Sequence, residues 1–170
     1  MAESNPGEIA SALNGELLQQ GLKVLQSISA AEYGQPEHGA SIGSHFRHVL
    51  DFYLCLEQGL ANETIDDDDR ERRADIEVDP ARAAEVVTHL VGFLSSLNLR
   101  EDLHLQVRME ASHPPRFAGS TLPRQLMFLS AHTIHHFAVI ALTLKARSIA
   151  VPPGFGVAPS TLEYQMVSSY

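Results

Sequence analysis

The sequence has 170 residues, of which 44% are hydrophobic and 19% are charged, and this composition indicates a compact domain rather than a disordered chain. The formal net charge of −9 argues against the basic surface that a nucleic-acid partner requires. We therefore expect a single domain over residues 1–170 that acts on a small molecule.

Cysteine content and hydropathy predict a cytoplasmic protein. Cys55 is the only cysteine, so no disulfide can form within the chain and a reducing compartment is the default. The N-terminal residues lack the basic region and the apolar core of a signal peptide. The apolar run at 126–144 is interrupted by three histidines, so we expect no membrane-spanning segment.

Apolar residues recur at helical spacing in three segments of the first hundred residues. The predicted helices cover 8–29, 41–61 and 79–98. Ser41 and Asp79 are suitable N-cap residues for the second and third of these helices.

The connection between the second and third predicted helices is strongly acidic. Residues 63–79 contain nine acids and three arginines, and we expect a short helical turn at 67–73. The spaced ligands and the glycine of a calcium-binding loop are absent, so a solvated connector is favoured. Arg70 and Arg73 could still fold back over a cleft.

The last third of the chain is predicted to contain a hairpin and the longest helix. Residues 103–109 alternate as a strand does, proline and glycine then indicate a turn, and an extended segment returns. A helix over 121–149 follows, apolar on nearly every side, which is typical of the middle of a bundle. A tail rich in Pro and Gly ends in a short turn at 160–166. We therefore expect a mainly α fold with a small β-hairpin before the last long helix.

Three histidines lie in the middle of this last helix. His132 and His136 are four residues apart, so both rings can reach one point beside the helix, whereas His135 lies about 60° from His132 on its other flank. Such a pair is a metal platform that a third imidazole would complete, leaving a position open for water or substrate. The second helix offers His45 and His48, and its periodicity places His45 nearer the core. The alternative is a buried hydrogen-bonded network without a metal.

Two segments, SIGSHFRHVLDF at 41–52 and SAHTIHHFAVI at 130–140, resemble the DinB/YfiT-like superfamily of metal-binding four-helix bundles. The resemblance implies an up-down-down-up bundle with a metal site in a cleft at one end. It implies His48, His132 and His136 as the ligands of one divalent ion, typically zinc, nickel or iron. His45 then becomes a neighbour of the ligands or an alternative ligand. Homodimers are common in this superfamily, so a homodimer is expected.

The same resemblance implies two classes of reaction. Known activities of the superfamily include the transfer of low-molecular-weight thiols and metal-dependent hydrolysis. The bound ion would act as a Lewis acid, lowering the pKa of a water or activating a thiol, and His135 or His45 is the candidate general base. The chain continues as HHFAVIA where many members carry an Arg-Gly-Gln-like run, so the choice between the two reactions stays open. A non-catalytic metal- or small-molecule-binding bundle is the alternative function.

Other polar residues are candidates for the lining of a cleft. Asp51, one turn after His48, could orient an imidazole, although an exposed carboxylate is equally plausible. Arg47 and Arg124 could bind an anionic substrate, with solvated arginines as the plainer alternative. Three hydroxyl residues are near enough in sequence to line the same cleft: Ser120, Ser130 and Thr133.

Overall fold

The computed structural model describes residues 5–37, 39–97 and 103–168, and in this part of the chain the protein is mainly α-helical. The four longest helices described are α1 (Pro6–Ser27), α3 (Ile42–Leu60), α5 (Pro80–Ser96) and α6 (Leu122–Ala146). The shorter ones are α2 (Ala30–Gly34), α4 (Ala74–Val78) and α7 (Pro159–Ser168). All four predicted helices are therefore present. The predicted end of the third helix, near residue 98, lies outside the described residues.

Each long helix begins at a side chain that accepts a hydrogen bond from its first turn. These side chains belong to Asn5, Ser41, Asp79 and Thr121. Each satisfies a backbone N–H that has no partner within the helix. Helix starts could be predicted from the sequence because this chemistry is local.

The core lies where α1 and α3 each pack against both α5 and α6. Phe46 of α3 and Phe137 of α6 are both fully buried, with ring centroids 5.6 Å apart. A buried polar chain links three of the helices: the Tyr53 hydroxyl donates to Asn14 Oδ1 at 2.6 Å and lies 2.9 Å from Thr133 Oγ1. Because each of these polar atoms needs a specific partner, this chain restricts how α6 can rotate against α3.

Two small sheets accompany the helices. Strands β1 (Pro36–Glu37) and β2 (Ala40–Ser41) are antiparallel. The second sheet has the order β3–β4–β5, from β3 (Thr64–Ile65), β4 (His104–Arg108) and β5 (Phe117–Thr121). The antiparallel pair β4–β5 is the predicted hairpin before the last long helix, and β3 adds to it in parallel. Two-residue strands are too short to be predicted from periodicity.

The acidic connector differs from its prediction. Residues 67–73 contain no helix, and the short helix is α4, which follows them. Ile76 in α4 is fully buried, and its carbonyl oxygen accepts a hydrogen bond of 2.7 Å from the Tyr33 hydroxyl. Arg108 of β4 pairs with Asp66 at 3.0 Å and with Asp68 at 3.2 Å. The connector is thus attached to the fold at both ends rather than solvated throughout.

Helix α6 is buried on one side only, although its sequence is apolar on nearly every side. Phe137 and Leu144 are buried, whereas Met127 is 61% and Leu142 67% exposed. By length and composition α6 also meets the criteria for a membrane span, as core helices of globular proteins do. The tail packs on α6 through Phe155, whose ring stacks on that of Phe137 with centroids 4.7 Å apart.

Candidate metal centre

The predicted ligands His48, His132 and His136 meet where α3 packs against α6. Each offers one ring nitrogen, and these nitrogens all lie within 4.8 Å of one another. The ring centroid of His48 is 5.0 Å from that of His132 and 4.6 Å from that of His136. The i, i+4 spacing brings the two histidines of α6 together, and the packing of the helices brings the third.

Aromatic side chains form one flank of the cluster. The Phe52 centroid lies 4.6 Å from that of His132, Phe128 stacks on the same ring at 5.6 Å, and the two phenylalanine centroids are 5.9 Å apart. Because both phenylalanines pack against this ring, they restrict its orientation before any ligand binds.

The three imidazoles fit a divalent ion by their chemistry. Nε2 of His132 is buried and has no hydrogen-bond partner among the described residues, which is costly for a polar atom that binds nothing. Burial, together with the neighbouring histidines, lowers the pKa of His48 to about 4 and that of His136 to about 3. Burial also lowers the pKa of His132. Neutral imidazole is the form that binds metal ions.

His45 lies behind the cluster rather than in it. Its Nδ1 is 2.9 Å from Nδ1 of His136, a hydrogen bond that needs one proton between the two rings. With that proton on His136, Nε2 of His136 is free to bind an ion, and His45 holds the ring in this tautomer. His135 is exposed, and its ring touches His136 edge-on with centroids 5.1 Å apart.

We expect His45→Ala to weaken zinc binding about 10- to 100-fold, because partners that orient a ligand contribute this much to affinity. His45→Gln, which keeps a hydrogen-bond acceptor, should recover part of the loss. Affinity is measured by competition with a chromophoric chelator. His135→Ala is the matched control, since it also removes an imidazole in contact with His136. Wild-type affinity in His45→Ala would contradict the positioning role.

A cleft of about 660 Å³ opens beside the cluster and is lined by His48 and His132. The connector supplies Asp67, Asp68 and Arg70 to its wall. The hairpin and the first turns of α6 supply further polar residues, namely Ser120, Arg124 and Gln125. A separate groove of about 490 Å³ between α1 and α5 is lined by none of the histidines.

The predicted cleft residues divide into two groups. Ser120 and Arg124 line the cleft. Ser130 and Thr133 are buried and hydrogen-bonded to Met127 O and to the Tyr53 hydroxyl. The predicted catalytic residues His45 and His135 are not among the residues that line this cleft.

Arg47 and Asp51 belong to a partly buried ionic group and do not line the cleft. Arg47 pairs with Glu77 at 2.7 Å and with Asp51 at 3.5 Å. Asp51 is 2% exposed, and burial raises its pKa to about 6 against the opposing effect of the neighbouring arginines. The carboxylate also accepts a hydrogen bond from the Arg73 backbone N–H at 3.5 Å. These contacts connect α3 to the connector.

Sequence reasoning missed the acidic residues of the cleft wall. Asp67 and Asp68 were expected to be solvated, and nothing in their local sequence distinguishes them from their neighbours. Their position follows from the pairing of Arg108 with Asp66 and Asp68, residues about 40 positions away in the chain. The three arginines within the acidic run were the only local feature indicating that this connector folds back over the cleft.

Comparison with known proteins does not assign the chain to a family. No family model matches the chain, and no solved structure matches it. A stretch of 71 residues, 41% of the chain, is 35% identical to FK506-binding protein 5 of Rhizopus delemar. That stretch covers 18% of the fungal protein, so the chain spans less than a fifth of that relative's length.

Proposed function

We propose that this protein is a divalent-metal-dependent enzyme of the DinB-like type, in which His48, His132 and His136 hold one ion at the wall of a small-molecule cleft. One observation carries the proposal: three imidazole nitrogens converge within 4.8 Å beside a cleft of about 660 Å³. The buried Nε2 of His132, which has no other partner in the described part of the chain, supports it.

The proposed fold is the up-down-down-up four-helix bundle of that superfamily, made of α1, α3, α5 and α6. The packing of α1 and α3 against both α5 and α6 supports this arrangement. So does the resemblance of the two histidine-bearing segments, which form parts of α3 and α6. A cytoplasmic location and a homodimer remain proposals based on composition and on the same resemblance.

Three ligands favour an enzyme over a structural metal site. Structural zinc is normally enclosed by four protein ligands, whereas a catalytic ion keeps a position open. Among the described residues, the only group placed to hold an ion has three members. A zinc, nickel or iron ion bound there would supply Lewis-acid chemistry to water, giving hydrolysis, or to a low-molecular-weight thiol, giving transfer.

The chain's own residues would bind and orient the reactants. His45 holds the ring of His136 through the bond between their Nδ1 atoms. Phe52 and Phe128 pack against the ring of His132 and restrict its rotation. Gln125 donates to Ser120 Oγ at 2.6 Å, which fixes two polar groups of the cleft wall. The general-base role predicted for His135 or His45 stays a prediction.

The metal content of untagged wild-type protein tests the proposal. We expect about one divalent ion per chain by mass spectrometry after loading with zinc, nickel or iron. Turnover of ester, amide or thiol-acceptor substrates that stops after chelation would distinguish an enzyme from a non-catalytic binding bundle. Protein that takes up none of the three metals would refute the metal site and leave a hydrogen-bonded histidine cluster.

A further inference from the structure

Arg70 of the connector lies beside the histidine cluster, over the ring of Phe52. Its guanidinium carbon is 4.2 Å from the centroid of the Phe52 ring. Its Nη2 is 3.5 Å from Nδ1 of His48, and its Nη1 donates to the backbone oxygen of Asp67. Stacking on an aromatic face and a backbone hydrogen bond together hold the guanidinium in place. The group is therefore preorganised at the cleft wall, beside the proposed metal ligands.

Arg70 has no carboxylate at ion-pair distance in the described part of the chain, although the carboxylates of Asp67 and Asp51 interact with its charge at longer range. Nearby arginines have such partners: Arg108 pairs with Asp66 and Asp68, and Arg47 with Glu77. For Arg70 the structure shows no ion pair among the described residues, and its Nε is buried without a hydrogen-bond partner. A partly desolvated guanidinium is stabilised by an anion with matching geometry.

We propose that Arg70 binds a carboxylate of the substrate, so that the cleft takes small carboxylic acids. The proposal rests on the proposed function and names the substrate class of that site. A planar guanidinium can bind a carboxylate through two parallel hydrogen bonds. The cleft wall carries three arginines and three acids, a balance that favours a singly charged carboxylate over a doubly charged phosphate: Arg70, Arg108 and Arg124 against Asp67, Asp68 and Glu110.

The contact between Arg70 and His48 restricts the shape of the substrate. An anion bound to the guanidinium would lie a short distance from the point where the three histidine nitrogens converge. The reacting group and the carboxylate should therefore be separated by only a few bonds. The apolar parts of the wall, which include Val107 and Phe128, leave room for a hydrophobic remainder.

Two probes of nearly equal shape and different charge test this inference. Mercaptopropionate and its neutral amide are titrated calorimetrically into zinc-loaded wild type, Arg70→Ala, Arg70→Gln and Arg72→Ala. Wild type should bind the acid at least about tenfold more tightly than the amide, because one charge-assisted hydrogen bond changes affinity by about this factor. Both Arg70 variants should lose that preference through weaker binding of the acid, with amide affinity unchanged. Arg72, exposed in the same connector, is the matched control and should leave the preference intact.

Zinc content and circular dichroism of the same samples show whether a protein has lost its metal or its fold, and so separate these losses from a loss of probe binding alone. Zinc-loaded Arg70 variants that keep the full preference for the acid would overturn the inference and leave the metal proposal standing. Zinc-loaded wild type that binds neither probe would overturn it as well. Wild type that takes up no zinc, nickel or iron would overturn the proposed function and the inference together.

Discussion

Replacing His132 with alanine is expected to lower the affinity for a divalent ion by more than about a hundredfold, which exceeds the loss caused by removing a partner that only orients a ligand. His132 provides one of three converging nitrogens, and its Nε2 has no competing hydrogen bond among the described residues. Metal content after loading and gel filtration measures the effect. Any metal-dependent turnover should be lost in parallel.

His135→Ala is the matched control for this variant. His135 lies three residues further along the same helix, is exposed, and is not part of the converging group. The control should retain one ion per chain. Its melting temperature should also still rise when metal is added, because an ion that binds the folded state stabilises it. Retention of the ion by a folded His132→Ala protein would exclude the three-histidine site.

Gly43→Ala is expected to lower the free energy of unfolding by about 1 to 3 kcal/mol, the usual cost of forcing an extra group into a packed site. Gly43 lies in the first turn of α3, where α4 crosses it closely. A Cβ there would overlap the carbonyl oxygen of Glu77 and would lie 2.8 Å from Cε1 of Tyr33. The backbone of α4 would have to move, disturbing the connector that forms the cleft wall.

Gly92→Ala, on another helix, is expected to raise the free energy of unfolding instead of lowering it. Gly92 is exposed in α5, and no atom lies within 4 Å of the position a Cβ would take. Alanine there should stabilise the protein by up to about 1 kcal/mol through helix propensity alone. Urea unfolding of the two variants measures both changes. Equal midpoints for the two would show that α4 does not pack closely on α3.

Local chemistry explains why much of the fold could be predicted from the sequence. Apolar periodicity and N-cap residues such as Ser41 and Asp79 identified the long helices, because both signals act within one or two turns. The i, i+4 spacing of His132 and His136 placed two imidazoles on one face for the same reason. These features depend on neighbours in the chain and not on distant residues.

The remaining features depend on contacts between residues far apart in the chain. Periodicity favoured His45, but the packing of α3 against α6 brings His48 to the pair and leaves His45 bonded to His136. The connector covers the cleft because Ile76 is buried and Arg108 pairs with its aspartates, which places Arg70 beside His48. Local patterns alone thus predict the helices and the histidine pair, and the family resemblance singles out His48. The third imidazole and the charged wall depend on tertiary packing, because each is positioned by partners that no local pattern specifies.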